Sequence, residues 1–369
     1  MNGRQLLTIR ALFLSLPAVF VACGESATEP AAPLSEDVFV LNSTGQTLAS
    51  FSVRASMAMA GSPIDMGAGF DGDALDLTIG RAVTTVSSFG GSRILFVDLA
   101  VGTVSTTRFP PPESDLANPS AASFDSQGNA WVGGRGSDVV YRARPGDLEA
   151  ERIATGVGTF VERVVPVGER LYVVDANIDD DGGTYQPLGP GRIVVLTRAG
   201  AAEAVIDLPP TAFNPTDAVV AAGNLVVLVA GTFDPTTFLP ANDGALLTID
   251  LDTGAVGSAV ALGANGVALE LGRDGLIYLT TTSDFQSLDL LRYNPGSGAF
   301  ARGPADPIVV TGEGGGRVDC WTATGLRDGR ILCVTFSFAE AGRLVLADEE
   351  GGFIDEVSSG FGSTDLALP

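Results

Sequence analysis

The sequence predicts an all-β fold: a seven-bladed β-propeller of four-stranded antiparallel blades, closed by both termini. Two observations carry this reading. First, a phrase of apolar strand, Gly-containing turn and second strand recurs seven times, from DVFVLNSTGQTLASF to RLVLADEEGGFIDEV. The turn glycines are Gly45, Gly102, Gly146, Gly200, Gly254, Gly298 and Gly351, at steps of 57, 44, 54, 54, 44 and 53 residues that average 51. A period near fifty built only of strands marks a propeller, one blade per repeat. Second, almost no stretch beyond residue 22 carries helical periodicity, which argues against α/β folds.

Residues 1–22 read as an export signal. Arg4 and Arg10 precede the apolar run ALFLSLPAVFVA, which is shorter than the ~20 residues a bilayer span requires. The run ends F-V-A-C, with Cys23 followed by Gly24-Glu25-Ser26. This resembles the lipobox of bacterial lipoproteins, although Phe20 stands where Leu is usual. The resemblance implies that Cys23 becomes the acylated first residue, carrying palmitate-type chains. It also implies, through Gly24, sorting to the outer membrane. An ordinary cleaved signal with an incidental cysteine is the alternative. Residues 23–36, rich in Pro, Ala, Ser and Glu, form a flexible tether, and 37–369 form a single propeller domain.

Within that domain a second strand pair lies between successive hairpins. Examples are DALDLTIGRAVTTVSS (74–88) and NGVALELGRDGLIYLTT (265–281). Each repeat therefore has four strands, with A and B in this pair and C and D in the hairpin. Six complete blades run from 74 to 357. The N-terminal hairpin (37–53) is expected to supply C and D of a seventh blade, and Thr364–Leu368 its strand A. Pairing the termini in one blade removes the free sheet edge. A six-bladed ring with an accessory hairpin is the alternative.

The chain has 369 residues and a formal charge of −23, and every basic residue is Arg. So acidic a body repels nucleic acid and anionic lipid, leaving membrane contact only through the anchor and a monomer as the expected state. There is no His, which closes imidazole bases, Ser-His-Asp triads and His metal ligands. An enzyme is therefore not the first expectation. With Cys23 acylated, Cys320 and Cys333 remain in an oxidising compartment, either bridged or as two buried thiols. A two-residue turn at Asp328-Gly329 would set Thr324 opposite Cys333 and leave the sulfurs diagonal.

The A–B and C–D turns are short. The B–C and D–A connections are long, at 55–73, 109–118, 175–190, 209–216, 231–244 and 303–317. In a four-stranded meander both long sets emerge on one rim, where binding on a rigid scaffold usually sits. That rim carries Phe233, Phe238 and Asp243 as candidate ligand-face residues, for a protein or glycan partner at the envelope. Trp131 and Trp321 read as inter-sheet packing.

One loop, Asp175-Ala-Asn177-Ile-Asp179-Asp180-Asp181-Gly182, reads N-x-D-x-D-G from Asn177. Alternate oxygens at Asn177, Asp179 and Asp181 suit a weak Ca²⁺ site. Position twelve of an EF-hand would be Leu188, so that motif is excluded.

Asn265-Gly266-Val267-Ala268-Leu269 followed by Arg273-Asp274-Gly275-Leu276-Ile277-Tyr278 is similar to the blades of SMP-30/gluconolactonase-like propellers. Asn118-Pro119-Ser120 with Gln127-Gly128-Asn129-Ala130-Trp131-Val132 resembles NHL, YVTN-type and streptogramin-lyase-like blades. The first likeness implies a second function, a metal-dependent hydrolase with its site in the axial channel. Asn265 would be a metal ligand there and Glu162 a weaker carboxylate candidate. Thr280-Thr281-Thr282 stands where that family has an Asp, and the lyase group's essential His is missing.

Overall fold

The computed structural model describes residues 36–67, 72–87, 91–111, 118–135, 138–179, 186–337 and 339–369. The signal, Cys23, the tether up to residue 35, and Asp181 lie outside the described residues. The body is a seven-bladed propeller. Its inner strands A are Gly72–Thr78, Pro119–Phe124, Val161–Val167, Pro215–Ala221, Asn265–Leu271, Thr322–Gly325 and Ser363–Ala367, in blades 1 to 7. Each blade continues outward as an antiparallel meander, and each strand A lies beside the next around the axis.

Strand parity explains how blades that are apolar on both faces stack. In strand C of blade 1, Ile94 and Phe96 pack toward blade 2, while Leu95 and Val97 pack toward blade 7. In strand B of blade 4, Leu225, Val227 and Val229 face blade 3, and Val226 and Leu228 face blade 5. The core among the described residues is thus a set of seven slabs, one between each pair of neighbouring blades. Because successive side chains point to opposite faces, such strands read as unbroken apolar runs.

Blade 7 closes the ring. Its inner strand, Ser363–Ala367, pairs with Glu36–Asn42, with Val40 opposite Leu366. Thr47–Val53 follows outward, and the outer strand is split into Met57–Met59 and Ile64–Asp65. The N-terminal hairpin therefore supplies strands B and C, not C and D, and the segment expected to be the 55–73 loop holds the outer strand. Gly45 sits in a B–C turn on the opposite rim from the other repeat glycines, its N–H donating to Phe361 O at 2.8 Å. B–C and C–D hairpins look alike in sequence because each opens on an apolar strand buried on both faces and turns at a glycine. The pairing of Glu36–Asn42 with Ser363–Ala367 sets the phase.

The other six glycines all close C–D turns in the left-handed region. Gly102, Gly254 and Gly298 have φ of 70°, 71° and 69°, and their amides donate to the carbonyls of Asp98, Asp250 and Asn294. The side chains of those three residues accept the next free amides of the turn.

In blade 6 the A–B turn is longer than the two residues expected. Leu326 N donates to Arg330 O at 2.8 Å, so Ala323 rather than Thr324 lies opposite Cys333. Trp321 N also donates to Val334 O, the same residue that pairs with Thr322. This shift draws Cys320 alongside its partner, and the two are joined by a disulfide with Cα atoms 5.3 Å apart.

Candidate functional site

Every inner strand carries an irregularity near its start. Register skips Glu162 in blade 3, Thr216 in blade 4, Val267 in blade 5 and Thr364 in blade 7. In blades 1 and 2, two residues (73–74 and 120–121) stand opposite one. In blade 6, Trp321 and Thr322 both engage Val334. A bulge breaks the in–out alternation, so two consecutive residues reach the same side. Glu162 with Arg163, Thr216 with Asp217, Trp321 with Thr322, and Thr364 with Asp365 all line one axial chamber of about 410 Å³. Below it, Asp76, Ser123, Phe124, Arg163, Glu270 and Arg273 line a second of about 290 Å³.

Arg163 is central to both chambers. Its Nη1 donates to Asp217 Oδ1 at 2.8 Å. Burial works to depress this guanidinium, yet Asp217, Asp76, Glu270 and Asp365 together hold its pKa above the ordinary value. The carboxyls pay the larger penalty. Burial raises Asp76, Asp217 and Glu162, and raises Glu270 well above the usual range with help from Asp365 and Asp217. Asp365 is pushed by burial up to about 7, although it accepts the N–H groups of Leu75 and Leu366 at 2.7 and 2.8 Å. Asp76 similarly accepts Phe124 N from blade 2 and Leu77 N from its own strand. Glu162 is 4% exposed and takes Arg135 Nε at 2.8 Å.

The upper chamber opens to the long-loop face through a pocket of about 380 Å³. Its walls are Phe160, Ile178, Pro187 and Phe233, with Arg135, Glu162 and Asn214 as polar groups. Loops from blades 2, 3 and 4 build it. Buried Asp175 fixes the Phe160 segment by accepting the N–H groups of Thr159 and Phe160 at 3.1 and 3.0 Å, and it pairs with Arg192 Nε at 2.7 Å. Arg135 lies 5.9 Å from the Phe160 ring centroid, a cation–π distance.

The residues singled out in the sequence fall into distinct places. Phe233 lines the pocket and stacks on Phe285, centroids 5.7 Å apart. Phe238 is 68% exposed at the tip of the same loop. Asp243 holds the neck of that loop, accepting Thr232 N and Thr232 Oγ1 at 2.7 and 2.8 Å. Asn265 is 1% exposed and binds the loop from below: its Nδ2 donates to Thr232 O at 2.8 Å, and its Oδ1 accepts Asn242 N at 3.0 Å. Both ends of the amide are thereby engaged in positioning the loop.

Asn177 takes φ 54°, with its Nδ2 donating to Pro190 O at 2.9 Å. Asp179 pairs with Gln186 in a two-residue ladder. Among the described residues no three carboxylates or thiols gather as a metal set. Trp131 is fully buried, its Nε1 donating to Asp125 Oδ2 at 3.0 Å. Trp321, by contrast, lines the axial chamber instead of packing between sheets. Sequence reasoning missed Arg135, Asp217, Glu270 and Asp365; for Asp217 and Asp365 the reason is a bulge beside each, since period-two alternation assigns a bulged pair to opposite faces.

No family model matches the chain, and no curated protein matches it. Among solved structures it is similar to the computationally designed Ika8 protein, at 11% identity over 90% of each chain and a TM-score of 0.53. It is also similar to YCF48 in a structure bound to D1 peptide, at 12% identity over 86% of this chain and 94% of that one, with a TM-score of 0.50. These likenesses establish the propeller fold.

Proposed function

We propose that this protein is a lipid-anchored binding module of the bacterial envelope, held at the outer membrane through Cys23 and receiving a protein or glycan partner on its long-loop face. The observation that carries the binding reading is the 380 Å³ pocket on that face, with Phe160 and Phe233 as aromatic walls and Arg135 and Glu162 at its floor. Apolar walls with a few convergent polar groups are the usual make-up of a ligand site, and aromatic and Arg residues dominate interface energetics. YCF48, of the same fold, carries a bound peptide. The anchor reading rests on the Ala22-Cys23 junction and the Pro-rich stretch behind it.

Two experiments test the reading. Fatty-acid labelling of wild type should be lost in Cys23→Ala, together with membrane fractionation; equal fractionation of both forms discards the anchor. For the face, Phe233→Ala and Phe238→Ala should weaken capture of an envelope partner while the melting curve stays close to wild type. Capture that is indifferent to both substitutions removes the long-loop face as the docking surface.

A further inference from the structure

Above the waist formed by Arg163 and Glu270, the axial chamber holds more carboxyl groups than guanidinium groups. Arg135 and Arg163 face Glu162, Asp217, Glu270 and Asp365. Two of these carboxylates are matched: Glu162 by Arg135 and Asp217 by Arg163, each at 2.8 Å. Asp365 has only backbone N–H donors. Glu270 receives no hydrogen bond from any described residue. A second, independent feature stands beside them. Thr322 is 1% exposed, lines the same chamber, and its Oγ1 has no partner. A buried hydroxyl without a partner is costly, and an uncompensated buried carboxylate more so.

We propose that this chamber binds a small organic primary ammonium ion, its nitrogen shared among Glu270, Asp365 and the Thr322 hydroxyl. A primary ammonium brings one positive charge and three N–H donors. The chamber supplies matching acceptors, and Val267, Ala268 and Trp321 offer walls for the organic portion. An anion would bring no donors and would be repelled by the carboxyl groups as they ionise. A quaternary ammonium would leave the hydroxyl and carboxylate oxygens without donors. The gathering of three metal-ligating side chains that a multivalent metal favours is absent among the described residues. The volume of about 410 Å³ suits a small molecule.

The chamber's titration agrees with this. Glu270 faces Asp76, Arg163, Asp217 and Asp365, and burial together with the like charges among them favours its neutral form. A bound ammonium favours the ionised form instead, so binding expels protons and tightens as pH rises.

Isothermal titration of the full chain with ethylammonium, propylammonium and ethanolamine tests the proposal, with tetramethylammonium and calcium as parallel titrants. Saturable binding of at least one primary ammonium is expected, tighter at about pH 8 than at about pH 6. It should fall roughly tenfold, about 1.4 kcal/mol, in Glu270→Gln and in Thr322→Val. Thr322→Val keeps the charge and shape of the chamber, so it decides the matter if Glu270→Gln does not fold. Absence of saturable binding, equal affinity for tetramethylammonium, preference for calcium, or undiminished affinity in the folded variants each overturns the proposal. Neither Glu270 nor Thr322 lines the outer pocket, so failure here leaves the reading of the long-loop face standing.

Discussion

Arg163 Nη1 donates to Asp217 Oδ1 at 2.8 Å, joining the inner strands of blades 3 and 4 at the bulge each of them carries. Both side chains are about four-fifths covered. The guanidinium also offsets Asp76, Glu270 and Asp365 around the axis. Replacing it leaves several buried carboxylates without a cation. Arg163→Met should therefore lower stability by about 3 kcal/mol, whereas Arg163→Met with Asp217→Leu should recover part of the loss. Denaturant unfolding of the single and double variants checks this. Equal loss in both would show that the pair is not the source.

Asp365 sets a pH dependence. Its folded pKa of about 7 lies above the ordinary 3.8, so the native state holds the proton more tightly than the unfolded chain. Stability from this group is accordingly greatest below the unfolded value, and is lost as pH rises from about 4 through 7. Asp365→Asn should flatten the melting temperature between about pH 5 and 8 and stabilise the protein at the upper end by roughly 1 kcal/mol or more. Melting curves across that range decide it. Glu270 acts in the same direction, so a residual slope should remain.

The turn glycines should separate into two classes. Gly275, in an A–B turn, has φ 80° and open space around a notional Cβ, so Gly275→Ala should cost about 1 kcal/mol for backbone strain alone. Gly200 and Gly351 have φ 86° and 96°, and a Cβ there would run into the carbonyls of Ile153 and Val309 in the preceding blade. Gly200→Ala and Gly351→Ala should each cost roughly 3 kcal/mol or more, because neighbouring blades must part as well. A single common value for the three variants, read from chemical unfolding, would contradict this.

The Cys320–Cys333 bridge closes a short loop, at a sequence separation of 13. Its reduction should lower stability by about 3 kcal/mol on the loop-entropy account. Unfolding with and without reductant measures the loss, and Cys320→Ala/Cys333→Ala should be insensitive to the reagent.

Much of the architecture was legible in the residues. The glycines at 102, 146, 200, 254, 298 and 351 marked the repeat because each must adopt positive φ at the same C–D turn. Gly45 misled, since a glycine in a B–C turn writes the same local pattern, and it shifted the strand assignment of blade 7 by one. The outer strand of blade 7 escaped notice because it is split into a three-residue and a two-residue piece. Phe233, singled out from its place in a long loop, lines the pocket on that face. Asn265, expected as a metal ligand, instead has its amide engaged in hydrogen bonds to the 231–244 loop.

The propeller class, the joining of both termini in one blade and the charge of the body could be read from the residues alone, while the choice of seven blades over six came from the structure. The former follow from local rules of turn geometry and strand alternation, repeated at each blade. Only the tertiary structure decided which side chains meet on the axis. Glu162, Arg163, Asp217, Glu270, Trp321, Thr322 and Asp365 come from five blades and as many as about 200 residues apart, brought together by bulges that reverse the expected facing of a pair. A bulge depends on how an inner strand meets its neighbours around a closed ring, and one strand read alone carries no trace of that meeting.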